Sequence, residues 1–246
     1  MKTTNLKGMG NSRGNAAISM LQGDLRQLLS AYSNVTYIAS YDIATNKVRD
    51  VYAIEGFEAY YIYFEATSGT SAYHTMGVCL RGNEDTNTVI VSLLTGTNTT
   101  TQVENIYTLQ CNCYTFSKNN ILYGLLFDYN DTTPNGYIAF NIQDSGNYIC
   151  FGDRALFETA GGAPYYINYT YPQGTYSVAE KAIKVKPMIT ATQTSGSSAI
   201  IDMLDNVYKF INAAFNTMYF TLIEVNGVRY RQVYQRYLFL EDGDEE

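Results

Sequence analysis

Along most of this chain, apolar residues recur at every second position; in only two stretches do they recur at every third or fourth. The first of these covers residues 15–33, where Ile18, Leu21, Leu25, Leu28 and Tyr32 fall three or four apart. That spacing predicts an amphipathic helix with one apolar stripe, which must cover a sheet or a partner chain. Gly23 weakens the helix and Asn34 is a plausible stop. From Val35 the period changes to two. VTYIASYD, VRDVYAI and AYYIYFEA read as strands, followed by runs at 73–80, 88–94, 105–116, 121–128, 136–142, 147–152, 165–171 and 181–190. Turn clusters such as Gly82-Asn83-Glu84-Asp85 and Gly96-Thr97-Asn98 separate them. Short strands with frequent turns predict a mainly β fold, an antiparallel β-sandwich or jelly-roll-like core over residues 35–190. The evenly spaced helices of a βαβ fold are missing from the pattern. Residues 153–160 read as a short helical turn.

The second helical pattern follows a polar linker at 191–198. Ser198 suits an N-cap, and Ile201, Leu204, Tyr208, Ile211 and Phe215 form a stripe. A β-hairpin comes directly after it. Asn226-Gly227 lies between two β-rich runs, and this dipeptide supplies the positive φ that a two-residue turn needs. The register then sets Val225 against Val228, Ile223 against Tyr230, Glu224 against Arg229 and Leu222 against Arg231. Residues 199–240 thus read as a C-terminal helix plus β-hairpin unit, closed by an acidic tail at 241–246. At the other end, residues 1–14 carry three basic residues, three glycines and no periodicity, which predicts a flexible arm.

Composition narrows the function classes. Only 16% of residues are charged, while the 246-residue chain has 24 Tyr, no Trp and one His. The surface this predicts is polar, nearly uncharged and aromatic, although Tyr and Thr are also favoured in strands. Five acidic groups of the tail account for most of the net charge of −7, so the rest of the chain is near neutral. That argues against nucleic acid as the main partner. The start is polar, without the apolar core of a signal peptide, and no apolar run approaches the roughly 18 residues that span a membrane. Synthesis in a cytoplasm is the expectation. Four scattered cysteines do not make a disulfide framework.

Candidate chemistry is sparse. His74, the sole histidine, has no nucleophile elbow to serve and reads as a strand or turn residue. Cys111 and Cys113 point to one face of a strand, with Cys79 and Cys150 also on strands; core packing explains them better than zinc, whose ligands prefer wider spacings. Glu55, Glu58, Glu65, Asp128, Asp131, Asp144 and Asp153 are too many to single out a glycosidase pair. No phosphate-binding loop is present, and no catalytic, cofactor-binding or metal residue is assigned. Asn34-Val35-Thr36 and three similar triplets match the N-glycosylation pattern by chance in an Asn- and Thr-rich chain. Tyr165, Tyr166, Tyr169 and Tyr171 form the best exposed aromatic stretch, a candidate surface for a glycan or protein partner. Leu21, Leu25 and Leu28 on the first helix, with Arg229, Arg231 and Tyr234 on the hairpin, are the candidate assembly elements.

Low charge, abundant Tyr, Asn, Thr and Gly, a β-sandwich core, an N-terminal arm and a terminal amphipathic helix together resemble bacteriophage virion proteins of the tail, neck or head-decoration type. The resemblance is one of compositional style across the whole chain. It implies a non-enzymatic, multi-copy structural protein, incorporated in the virion and acting through contacts with other subunits, with no cofactor, no membrane and no nucleic acid as main partner. A carbohydrate- or receptor-binding β-sandwich module is the alternative, and a glycan-active hydrolase the second alternative.

Overall fold

The computed structural model describes residues 2–68, 73–87, 89–95, 100–129, 136–141, 148–153, 165–167, 185–187, 191–192, 198–199, 207–210, 222–225, 228–233 and 237–240. Side chains are described over 2–68, 74–87 and 101–129 and at Arg229. Among the described residues the protein is mainly β, built of antiparallel sheets around one helical segment.

The first sheet is a meander of β2 (Val35–Ala44), β3 (Lys47–Ile54), β4 (Tyr60–Thr67), β5 (Tyr73–Leu80) and β6 (Val89–Thr95), in that order. The second runs β1 (Lys2–Gly10), β8 (Ile106–Lys118), β9 (Ile121–Asp128), β10 (Gly136–Asn141), β11 (Tyr148–Asp153) and β12 (Tyr165–Ile167), with β7 (Thr100–Val103) also paired to β8. In the first sheet each strand pairs with the next along the chain; in the second, β7 to β12 pair in chain order and β1 adds to β8 from far away in the sequence. Short turns between successive strands give most of this connectivity, and the sheets are antiparallel as the alternating pattern predicts.

Of the arm expected over residues 1–14, residues 2–14 are ordered into a strand and the start of the helix. Strand β1 pairs with β8 along its whole length, from Lys2 opposite Thr115 to Gly10 opposite Tyr107. The glycines that suggested freedom have a packing role. Leu6, Gly8 and Gly10 share the inward face, and a Cβ on Gly8 would collide with the Ala16 carbonyl and lie 2.7 Å from Met20 N. A Cβ on Gly10 would lie 2.8 Å from Ala16 N. The strand can therefore approach the helix backbone only without side chains. Lys7 N–H donates to Asp24 Oδ2 at 2.8 Å, so the helix also caps this edge strand.

The helix begins earlier than its apolar periodicity. Ser12 is the N-cap, its side chain accepting from Asn15 N at 3.1 Å. Helix α1 (Arg13–Met20) passes through a π-helical turn (Leu21–Leu25) into α2 (Arg26–Ser30). Its stripe of Ala16, Ala17, Met20, Leu21, Leu25, Leu28 and Leu29 is buried. These residues join Leu6, Leu109, Cys111 and Phe127 of one sheet and Tyr52, Ile62, Phe64 and Met76 of the other in a single core. Phe64 and Phe127 meet edge to face across the two sheets, ring centroids 5.7 Å apart. The helix and β1 thus belong to the sandwich, whose core starts well before residue 35.

The end of the chain differs from its sequence pattern. Strands β14 (Ala191–Thr192) and β15 (Ser198–Ala199) pair with each other, so the ends of the expected linker form a short ladder and Ser198 is not a helix cap. The expected second helix is interrupted by β16 (Val207–Phe210), which pairs with β13 (Val185–Pro187) on one side and with β19 (Tyr237–Leu240) on the other. Two ladders satisfy its backbone, and Val207, Tyr208 and Phe210 are residues favoured in strands; long-range pairing overrides a local helical period. The hairpin has the expected register. In β17 (Leu222–Val225) and β18 (Val228–Val233), Val225 faces Val228, Glu224 faces Arg229, Ile223 faces Tyr230 and Leu222 faces Arg231. The hairpin unit extends back to Val185, in a five-stranded sheet ordered β13-β16-β19-β18-β17. Most of the helical turn expected at 153–160 lies outside the described residues, and Asp153 ends β11.

Candidate functional site

Three buried polar clusters carry the chemistry of the described residues. The first is at His74. Its strand, β5, turns the ring inward, where Nε2 lies 2.8 Å from the Ala17 carbonyl and Nδ1 lies 2.6 Å from Tyr129 Oη. A carbonyl oxygen only accepts, so Nε2 holds the proton and Nδ1 accepts from the tyrosine hydroxyl. Burial lowers the pKa of His74 to about 4, only partly offset by the Ala17 carbonyl. The ring is a neutral pin joining both sheets and the helix. Burial also raises Tyr129 and the neighbouring Cys111 thiol well above their ordinary values. The two His74 bonds tie β5 to the helix and to the residue that follows β9.

The second cluster ties the helix to β3. Arg26 donates Nε and Nη2 to the two carboxylate oxygens of Asp50, each at 2.9 Å, and its guanidinium lies 4.4 Å from the Tyr37 ring centre. Asp50 is fully buried. Burial raises its carboxyl above the ordinary value, while hydrogen bonds from Ser40 and Arg26 pull it back.

The third lies on the outer face of the first sheet. Arg49 and Glu65 are directly opposite each other on β3 and β4 and are buried. Arg49 Nε and Nη2 donate to Glu65 Oε1, at 2.8 and 2.5 Å. Nη2 also reaches Asn87 Oδ1 at 2.5 Å, and Nη1 reaches the carbonyls of Glu84 and Thr86. All five guanidinium N–H groups are thereby used. Glu65 Oε2 accepts from Thr75 Oγ1 at 3.1 Å and pairs with Lys47 Nζ at 2.5 Å. The guanidinium stacks 3.9 Å from the Tyr63 ring centre. Val51, Tyr63 and Cys79 form a small second core there, flanked by Tyr41 and Tyr61. Burial pushes the Cys79 thiol up to about 11.

The residues singled out from sequence are distributed differently. Leu21, Leu25 and Leu28 are buried in the chain's own core, which removes them as assembly elements: the face they share is covered by the two sheets. Arg229 is half-buried opposite Glu224; Arg231 lies on β18 opposite Leu222. Tyr165 and Tyr166 lie on β12, paired with Phe151 and Cys150. Tyr169, Tyr171 and Tyr234 fall outside the described residues, as do the side chains of Tyr165, Tyr166 and Arg231. Cys111 and Cys113 face the main core, whereas Cys79 faces the opposite side of the other sheet, so these three thiols do not meet. Among the described residues, no group of three or more His, Cys, Asp or Glu side chains is placed to hold a metal ion. Glu65 is engaged by Arg49 on the outer face of the first sheet, and Asp128 lies opposite Asn112 on the second sheet.

The sequence pattern passed over Arg26, Asp50 and Arg49. The available signal was a charged pair, Arg49-Asp50, in the middle of a strand whose neighbours are apolar; alternation sends one charge to each face, where each needs its own partner. Comparison with protein-family models, characterised proteins and solved structures finds no match to this chain. No helix among the described residues is long and apolar enough to cross a membrane.

Proposed function

We propose that this chain is a non-enzymatic structural protein that assembles in multiple copies, as a component of a virion, through protein–protein contacts. The observation that carries the reading is an exposed apolar face on the second sheet. Met9 on β1 is directly opposite Thr108 on β8, Thr101 on β7 flanks Thr108 from the other side, and Val103 faces Ile106 at the β7–β8 turn. Met9, Val103 and Ile106 are 65%, 69% and 50% exposed on this one face. Their neighbours Thr101 and Gln110 are exposed and uncharged. Lys7 on β1, opposite Gln110, is exposed at the rim, and an exposed apolar patch edged by polar residues suits burial against another subunit. The three buried polar clusters support the same reading, because their ionisable groups are engaged in holding strands, helix and loop together.

The test is the mass of the protein in solution, by sedimentation and light scattering across a wide concentration range. The expected result is a species several times the 27.6 kDa of one chain. It should be reduced to single chains by Met9→Lys with Ile106→Lys while the circular dichroism is unchanged. A protein that stays monomeric at high concentration overturns the reading.

A further inference from the structure

The Arg49 cluster holds more than two strands. Residues 83–87, Asn-Glu-Asp-Thr-Asn, follow β5 and cross the outer face of the first sheet. Asn83, Asp85 and Asn87 are exposed, so the segment brings little apolar area to the sheet. Its internal bonds, Thr86 N to Asn83 O at 3.2 Å and Thr86 Oγ1 to Asn83 O at 2.9 Å, shape a turn without fixing it to anything. Apart from the Asn83 N–H bond to the Leu80 carbonyl at 3.2 Å, which closes the turn at the end of β5, its ties to the sheet centre on Arg49. Arg49 donates to Glu84 O, Thr86 O and Asn87 Oδ1, and Tyr63 Oη adds a bond of 2.7 Å to that same Asn87 oxygen. Glu65 holds the guanidinium in place, and Lys47 and Thr75 hold Glu65.

We infer that residues 83–87 form a detachable strap, latched by Arg49, that opens as a local unit and uncovers the Val51–Tyr63–Cys79 surface while the sandwich stays folded. Two points argue for separate opening. The strap contributes no residue to the main core, so releasing it costs hydrogen bonds rather than buried apolar area; local openings are drawn from segments of that kind. The latch is also a buried ion pair, which stabilises little over an apolar equivalent but is strict about geometry. Its arrangement fits a position-fixing role for one loop. Cys79 is buried with Tyr63, which bonds Asn87 of the strap, and so reports opening.

The test uses the full chain and the double variant Arg49→Met/Glu65→Met, which removes the latch without leaving a lone buried charge. Amide hydrogen exchange and maleimide labelling located by peptide mass mapping are the readouts. The expected result is exchange at Asn83 and Thr86 faster by on the order of tenfold or more. Cys79 labelling should rise in parallel, while Cys111, Cys113 and the β8 amides remain protected. Unchanged exchange at Asn83 and Thr86 overturns the inference, because the strap is then held by something other than Arg49. Equal acceleration in β3, β4 and β8 also overturns it, because the strap then opens only with the whole sheet. If the double variant fails to fold, Asn87→Ala removes the acceptor shared by Arg49 and Tyr63, and the same two readouts decide.

Discussion

His74 Nδ1 and Tyr129 Oη lie 2.6 Å apart at the centre of the fold, where burial keeps the imidazole neutral. His74 is held neutral with a pKa of about 4, against an ordinary 6.5. On acidification the unfolded chain takes up the proton first, so the folded state is disfavoured as pH falls. This contribution to stability is complete above about pH 6.5, declines between 6.5 and about 4, and is constant below. The gap corresponds to about 3 kcal/mol. Urea unfolding of the wild type and of His74→Phe at pH 7 and pH 4.5 isolates it, with a smaller loss on acidification expected for the variant.

Two glycines should respond oppositely to the same change. At Gly8 an added methyl meets helix backbone, which cannot swing aside; Gly8→Ala is expected to cost more than about 2 kcal/mol. At Gly23 nothing lies within 4 Å of an added Cβ, and Gly23→Ala should stabilise by about 0.5–1 kcal/mol. Thermal melts of the two variants check both signs.

Asn34 and Leu122 exchange two hydrogen bonds, Leu122 N to Asn34 Oδ1 and Asn34 Nδ2 to Leu122 O, each 2.8 Å. A buried carboxamide here completes a strand's backbone pairing. Asn34→Ala leaves both Leu122 groups without that partner and is expected to cost about 3 kcal/mol. Asn34→Asp should not rescue it, since it loses the donor. Denaturant titration measures both. Asn34 of the Asn34-Val35-Thr36 triplet is buried and engaged in both bonds, so expression in a glycosylating host should leave Asn34 unmodified by mass spectrometry.

The β7–β8 turn places Glu104 and Asn105 at φ of 50° and 65°. This is the left-handed region required of both central residues in a two-residue hairpin. Asn105→Gly removes the Cβ penalty at an exposed position and should raise stability by about 0.5–1 kcal/mol. A rise in melting temperature checks it; a fall would show that the Asn105 side chain supports the turn.

How much was legible depended on the range of the interaction. The alternation from Val35 to Asp128 found β2 to β5, β8 and β9 because each strand has one face in the core, and a one-residue slip would invert it. The C-terminal hairpin was readable down to its pairs because Asn226-Gly227 fixes the register locally. The buried polar clusters were not readable. Arg49 and Glu65 are sixteen residues apart, Arg26 and Asp50 twenty-four, and His74 and Tyr129 fifty-five; no short spacing encodes them.

By itself, then, the sequence determined the local state of those strands, the first helix and one hairpin, since period, turn residues and β-preference act over a few residues. Only the tertiary structure decided the roles of residues 2–10 and 207–210. Gly8 and Gly10 look like freedom until a helix backbone lies against them, and Val207–Phe210 looks helical until strands on both sides take its hydrogen bonds. In both places the deciding partner is distant in the chain, and the free energy of meeting it exceeds the weak local preference.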